Sequence, residues 1–413
     1  MRRAWLCAAI LAAMFASAHA EPITLADAIA AVPRAPTSQI AGHDIAAAEA
    51  LAAAAGAWAA PTARVATNRL TARLVVGASV PLPIFGTVGA ARDVATAEAG
   101  AVRADAELVR RDLRYRVVVG WIAVARADGE VAALAIGAHE AAELERIARG
   151  RLDTGMTGEV DVTVATAARI RADVAVASAT RNAEAASAAL AGLLGWDPTR
   201  RINASGELPT GAPTELAALH DRLAAHPERA AALRKIEVAR AEVAQVSAAR
   251  WPGLFVEGQV SFDDPTLGDP AQKGSSGTDA MIGVALELPI FSHLGDRATA
   301  ARATEAAQRA RLAATEATLG AELVAAYRRW QGARERLVAL DHDVVPAQVR
   351  ASTMSSQAYR EGARDLAFAL QAERDLTSVQ ADLNTARADA AVAYADLQVA
   401  IGEPPGASGA SAR

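Results

Sequence analysis

The chain is poor in three things that most folded proteins use. Aromatic residues are only 4% of its 413 residues, there is a single cysteine, and no apolar run reaches the length of a transmembrane helix. Scarce aromatics beside 52% hydrophobic residues mean that the apolar surplus is mostly alanine. Alanine has the best helix propensity and lets helices approach closely. This composition disfavours a bulky globular core and suits long, thin coiled coils. The longest apolar run beyond the start, Val117 to Ala125, stops at Arg126, so any membrane-spanning part has to be made of strands. There is no excess of positive charge either. A net charge of -5 argues against nucleic acid as a partner.

Residues 1–20 read as a secretory signal peptide. Arg2 and Arg3 form its basic start, Trp5 to Phe15 its apolar middle, and Ala18-His19-Ala20 a small-residue cleavage site. Its removal takes the lone Cys7 with it, so the mature chain can form no disulfide and no thiolate metal site. Cys7 stands too early to accept a lipid at the cleavage site, and no N-terminal lipid is expected.

What the chain does have is a pattern used twice. Gly77-Ala-Ser-Val-Pro-Leu-Pro83-Ile-Phe85 returns as Gly283-Val-Ala-Leu-Glu-Leu-Pro289-Ile-Phe291. Pro83 and Pro289 are 206 residues apart; Gly155 and Gly362, and Gly195 and Gly402, are each 207 apart. One shared spacing implies two tandem helix–hairpin–helix copies. The first copy covers 21–199, with strands about 62–82 and a helix break about 150–160. A linker follows at 200–213. The second copy covers 214–402, with strands about 253–289 and a break about 359–366. Residues 403–413 read as a disordered tail. Helix is expected from Ile23 to Ala57 with a break at Pro33 to Thr37, and from Val88 to about Arg149, where Gly120, Gly129 and Gly137 mark local distortions. Sixty residues of helix would span roughly 90 Å. In the second copy Pro346 falls inside a helix running to about Tyr359.

The strands alternate. Leu74, Val76, Ala78, Val80 and Leu82 share one face, as do Val256, Val260 and Phe262 in the second copy. Each strand is long enough to cross a bilayer when tilted. Four strands cannot close a barrel with a channel, and an open edge in lipid leaves backbone groups unpaired. If these strands enter a membrane, several chains share one barrel, and a cyclic trimer supplies twelve strands. Trp58, Trp251, Phe85, Phe255, Phe262 and Phe291 flank the hairpins. They serve either as an interfacial girdle or as packing where strand meets helix.

These features together resemble the TolC-like outer-membrane efflux family. The resemblance rests on Leu25-Ala-Asp-Ala-Ile29, the two Pro-Ile-Phe segments, Gly155-Met-Thr-Gly-Glu-Val-Asp161-Val162, and Tyr359-Arg-Glu-Gly362-Ala-Arg-Asp-Leu366 with Leu370-Gln-Ala-Glu373. Leu194-Gly195 and Ile401-Gly402 match the repeat ends. The run Leu288 to Gly295 looks most like the heavy-metal (CzcC-like) branch. The resemblance implies a mainly α chain with a small transmembrane β part, long periplasmic coiled-coil helices, four β-strands per chain and a trimeric α/β barrel. It implies a homotrimer in the outer membrane of a Gram-negative bacterium, in contact with its lipid. A periplasmic adaptor and an inner-membrane pump, of RND type, complete the machine. No cofactor and no enzymatic step are implied. The two helix breaks become periplasmic tips where adaptors dock, carrying Gly155, Asp161, Gly362 and Asp365. Asp161 is alternatively the cap of the helix that follows. Phe368 and Gln371 occupy positions where the family often has carboxylates. Phe368 either packs between helices or narrows the aperture and gates it by dewetting.

The remaining residues point to no chemistry. His43, His139, His220, His226, His293 and His342 form no ligand spacing, and only His293 lies beside a hairpin. Asp263, Asp264 and Asp269 lack calcium-loop spacing and read as a solvated loop. Gly268 to Ser275 has Lys-Gly where a phosphate loop needs Gly-Lys. Heavy-metal efflux is the leading function. Drug efflux or type I secretion remains open within the same fold, and a periplasmic coiled-coil scaffold remains open outside it.

Overall fold

A computed structural model describes residues 21–68, 73–212, 214–263, 278–289 and 293–406. The expected signal peptide, the loop acids Asp264 and Asp269, Gly268 to Ser275, Ile290-Phe291 and residues 407–413 lie outside the described residues. The chain forms two compact units, and each takes parts of both sequence copies. Among the described residues, no helix is long and apolar enough to cross a membrane.

One unit comprises 42–107 and 227–316. Its centre is a four-stranded antiparallel sheet in the order β2 (Thr62–Asn68), β3 (Arg73–Leu82), β5 (Gly253–Asp263) and β6 (Asp279–Glu287). The register sorts the side chains. Val65, Val76 and Val260 stand opposite one another on one face, and so do Val80, Val256 and Val284. The other face carries Arg64, Gly77, Gln259 and Met281 in one row, and Thr62, Ser79, Glu257 and Gly283 in the next. Period-two alternation makes this sorting obligatory once the register is set. Phe85 of the first copy stacks on Trp251 of the second, with ring centroids 5.7 Å apart. Around the sheet ends run parts of α2 (Pro36–Ala55), α3 (Thr87–Asp153), α6 (Pro227–Ala248) and α7 (Leu294–Ala339). Their buried contacts are mostly alanine. Exposed ion pairs add to them: Lys235 with Asp105 at 3.0 Å, Arg229 with Glu316 at 2.8 Å, and Arg103 with Glu49.

The other unit comprises residues up to 41, 108–226 and 317 onward. It contains two helix hairpins, α3 with α4 (Glu159–Leu194) and α8 (Val345–Arg360) with α9 (Leu366–Ala400). A core lies where the copies begin and end. Trp121 is fully buried there, packed with Val117, Leu190 and Ile202, and its indole donates to Ile23 O at 2.8 Å. Trp330 performs the corresponding task in the second copy, donating to Thr210 O at 2.9 Å.

The structure departs from the sequence expectations in five places. Glu21–Thr24 is a strand, β1, not helix. It pairs in parallel with β4 (Ile202–Ser205), inside the expected linker. Two strands of four residues whose partner lies far along the chain leave no periodic signature. Helix α3 runs unbroken through Gly120, Gly129 and Gly137. These glycines are points of close approach instead: a Cβ at Gly129 would sit 2.3 Å from Asn384 Oδ1, and one at Gly137 2.7 Å from Thr377 Oγ1. The helix that carries Pro346 is not regular throughout: a π-helical turn at Leu340–Val344 precedes α8, and Pro346 sits in the first turn of α8, where its missing donor is tolerated. Asp161 is not the cap of α4; Gly158 holds that position. Finally, residues 403–406 are fixed. Arg114 Nε donates to Pro405 O at 2.7 Å, Gly406 N donates to Gln398 Oε1 at 2.8 Å, and Glu403 pairs with Arg222.

Candidate functional site

The two helix turns are built alike. At the first, Gly155 N donates to Leu152 O at 2.9 Å and Met156 N to Arg151 O at 2.8 Å. At the second, Gly362 N donates to Tyr359 O at 3.1 Å and Ala363 N to Ala358 O at 2.8 Å. Both are Schellman endings, in which a left-handed residue lets the chain satisfy the last carbonyls. Gly155 has φ +72° and Gly362 φ +78°, a region costly for any residue with a Cβ. The repeated spacing in the sequence therefore records a repeated backbone geometry.

The chain re-enters its helices differently. Asp365 caps α9, its carboxylate accepting from Phe368 N at 3.1 Å. Asp161 lies in the first turn of α4 and accepts the Thr157 hydroxyl. Phe368 is 48% exposed, with the Arg364 guanidinium 5.2 Å from its ring centroid. Gln371 is exposed as well and donates to Asp375 Oδ1 at 2.7 Å.

A small core joins the two turns. Leu144, Ala148 and Ala165 of the first hairpin pack with Tyr359, Leu366 and Leu370 of the second. Arg151 donates to Tyr359 O and lies over the Tyr359 ring, 4.9 Å from its centroid. Burial, and then the Asp161 carboxylate, push the Tyr359 hydroxyl up from its ordinary pKa.

Two buried carboxylates flank this core, and the sequence reading missed both. Glu145 of α3 is 5% exposed and accepts from Thr166 Oγ1 at 2.7 Å, Arg169 Nε at 2.6 Å and Arg149. Thr166 foremost, with the two arginines, holds it below the usual carboxylate range. Glu373 of α9 accepts from Ser352 Oγ at 2.9 Å, and burial pushes it up. In sequence, both resemble the many solvated glutamates of these helices. No local pattern separates them.

His293 has φ +47°, the only positive φ at a residue other than glycine among the described residues. It is exposed, 3.7 Å from Asp296. No three His, Cys, Asp or Glu side chains among the described residues come together in a way that could hold a metal ion.

In the sheet unit, the polar face lines a hollow of about 540 Å³ bounded by Arg64, Ser79, Glu257, Gln259 and Glu287. The opposite face is apolar and open: Ile282 is 85% exposed and Val65 69% exposed, one on each edge strand. Strands β2 and β6 are the outermost of this sheet among the described residues.

A profile of the family described as outer membrane efflux protein matches residues 31–196 and 218–403. No curated protein matches the sequence. Several solved structures share the fold. The outer membrane protein VceC from Vibrio cholerae superposes with a TM-score of 0.73 at 18% identity, covering 92% of this chain and 96% of that one. The MtrE outer membrane channel of Neisseria gonorrhoeae, in its open state, gives 0.72 at 19% identity, covering 92% and 89%. CusC, solved in connection with folding and transmembrane channel formation, gives 0.72 at 16% identity, covering 92% of each chain.

Proposed function

Because this chain belongs to the outer membrane efflux protein family, we propose that it is the passive exit duct of a tripartite efflux machine. It is an outer-membrane efflux channel and not an enzyme. In the proposed machine three copies share one barrel, a periplasmic adaptor joins them to an inner-membrane pump, and the pump supplies the energy.

One observation carries the shared barrel. The four-stranded sheet has one apolar face and one polar face, and among the described residues it ends at β2 and β6 without closing on itself. In lipid, only a closed sheet satisfies every backbone donor and acceptor. Closure around a water-filled lumen requires more strands than one chain has. The apolar face then meets lipid, and the polar face with Arg64, Gln259 and Glu257 meets water. Mass measurement of the detergent-solubilised protein tests this. A trimer is expected; a stable monomer sinks the shared barrel.

The helix turns take the role of periplasmic tips. Gly155, Asp161, Gly362 and Asp365 shape the turns on which the adaptor docks. Phe368 and Gln371 line the aperture. The exposure of Phe368 supports this, since a ring that does not pack within its own chain is available to narrow a pore. Phe368→Ala should raise the conductance of the closed channel in planar bilayers severalfold. Unchanged conductance removes Phe368 from the constriction.

For cargo, the Leu288 to Gly295 run favours heavy-metal cations. Growth of a deletion strain across divalent metals and hydrophobic drugs decides it. Sensitivity to metals alone is expected, and sensitivity to drugs alone replaces the cargo while keeping the duct.

A further inference from the structure

Glu373 is a buried acid that the duct does not use. It is 7% exposed at the packing of α8 on α9. It lines a groove of about 300 Å³ whose walls include Gly137 and Ala141 of α3 and Ala168 and Ala172 of α4. The groups that act on it directly are a neutral hydroxyl and another acid. Helix α8 offers the Ser352 hydroxyl and Gln348, whose amide is committed to Ala372 O. Helix α3 presents another acid, Glu140. Arg171 of α4 and Arg374 of α9 line the same groove, yet neither forms an ion pair with Glu373 among the described residues.

We propose that Glu373 is a proton-operated latch on the second hairpin: neutral, it lets α8 pack on α9; ionised, it loosens them. An unpaired charge in a dry interface is costly, whereas a neutral carboxyl with one hydrogen bond is tolerated. The adjoining groove gives water a path to the charge once it forms.

The sign of the effect follows from linkage. Burial first, and Glu140 after it, raise Glu373, against the opposing Ser352 bond. The packed hairpin therefore keeps its proton at a pH where an exposed glutamate has lost it. Its packing is strongest below the ordinary glutamate range and weakens as pH rises through the raised value. The latch concerns the packing of one hairpin and stands whether or not the duct reading is right.

The test uses the full chain with a spin label at Met354→Cys. Met354 is 72% exposed on α8, two residues beyond Ser352, and the sequence has no cysteine other than Cys7. Label mobility is read at one acid and one alkaline pH. The mobile fraction should rise about twofold or more at the higher pH. Glu373→Gln keeps an acceptor for Ser352 and should hold the low mobility at both. Glu140→Gln should move the transition to lower pH, since it removes the charge that opposes ionisation. A wild-type spectrum that ignores pH overturns the latch. So does an undiminished pH response in Glu373→Gln.

Discussion

Each hairpin buries one carboxylate, and the two are treated in opposite ways. Glu145 in the first hairpin receives three donors, two of them arginines. Glu373 in the second receives one hydroxyl and faces another acid. Burial works against ionisation at both sites, so the partners decide the charge. The first hairpin is consequently tied together by a charged cluster running from α3 to α4. The second rests on a neutral contact that a change of pH can remove. Similar turns on similar helices thus carry different electrostatics, which fits a rigid first hairpin beside a responsive second one.

The largest effect should come from stripping the first hairpin of its countercharge. Arg169→Met leaves Glu145 short of a donor and should cost roughly 2–3 kcal/mol at neutral pH, read from denaturant unfolding. The loss should shrink in acid. Glu145 has a lowered pKa, so its stabilisation is present above the ordinary carboxylate range and fades as pH falls through the folded value. In contrast, Glu373→Met should stabilise the protein at alkaline pH and change little at acid pH. If both substitutions show the same pH dependence, the contrast between the hairpins is wrong.

A smaller effect sharpens what the hairpins share. Gly155→Ala and Gly362→Ala should each cost about 1–2 kcal/mol, the penalty of a left-handed backbone with a Cβ. No atom crowds the first site. At the second, the nearest is the tip of the Arg151 side chain at 3.6 Å, so the two melting shifts should agree closely. A markedly larger loss at one site would mean that its turn does more than reverse the chain.

The smallest effect separates how the helices restart. Asp365→Ala removes the cap of α9 and should cost about 1 kcal/mol. Asp161→Ala leaves the Gly158 cap in place and should cost about half of that, as the loss of one half-buried hydrogen bond from Thr157. Equal losses in thermal melts would overturn the assignment of the caps.

Much of this architecture was legible in advance because it is local. Leu74 to Leu82 alternate, and their side chains do lie on alternate faces of β3. The paired glycines predicted the helix turns because a left-handed position selects glycine wherever it occurs. Three further features left no such trace. The β1–β4 pairing depends on a partner far along the chain. Gly129 and Gly137 looked like helix defects, because nothing in α3 itself shows that Asn384 and Thr377 press against them. Glu145 and Glu373 are indistinguishable in sequence, since the charge of each depends on neighbours contributed by other helices.

The sequence by itself determined the duplicated frame: helix propensity, strand alternation and turn chemistry each act within a few residues and repeat when the residues repeat. Only the tertiary structure decided which acid is held charged and which neutral. Desolvation and countercharge belong to the packed neighbourhood of a side chain, and that neighbourhood is assembled from segments the linear order keeps apart.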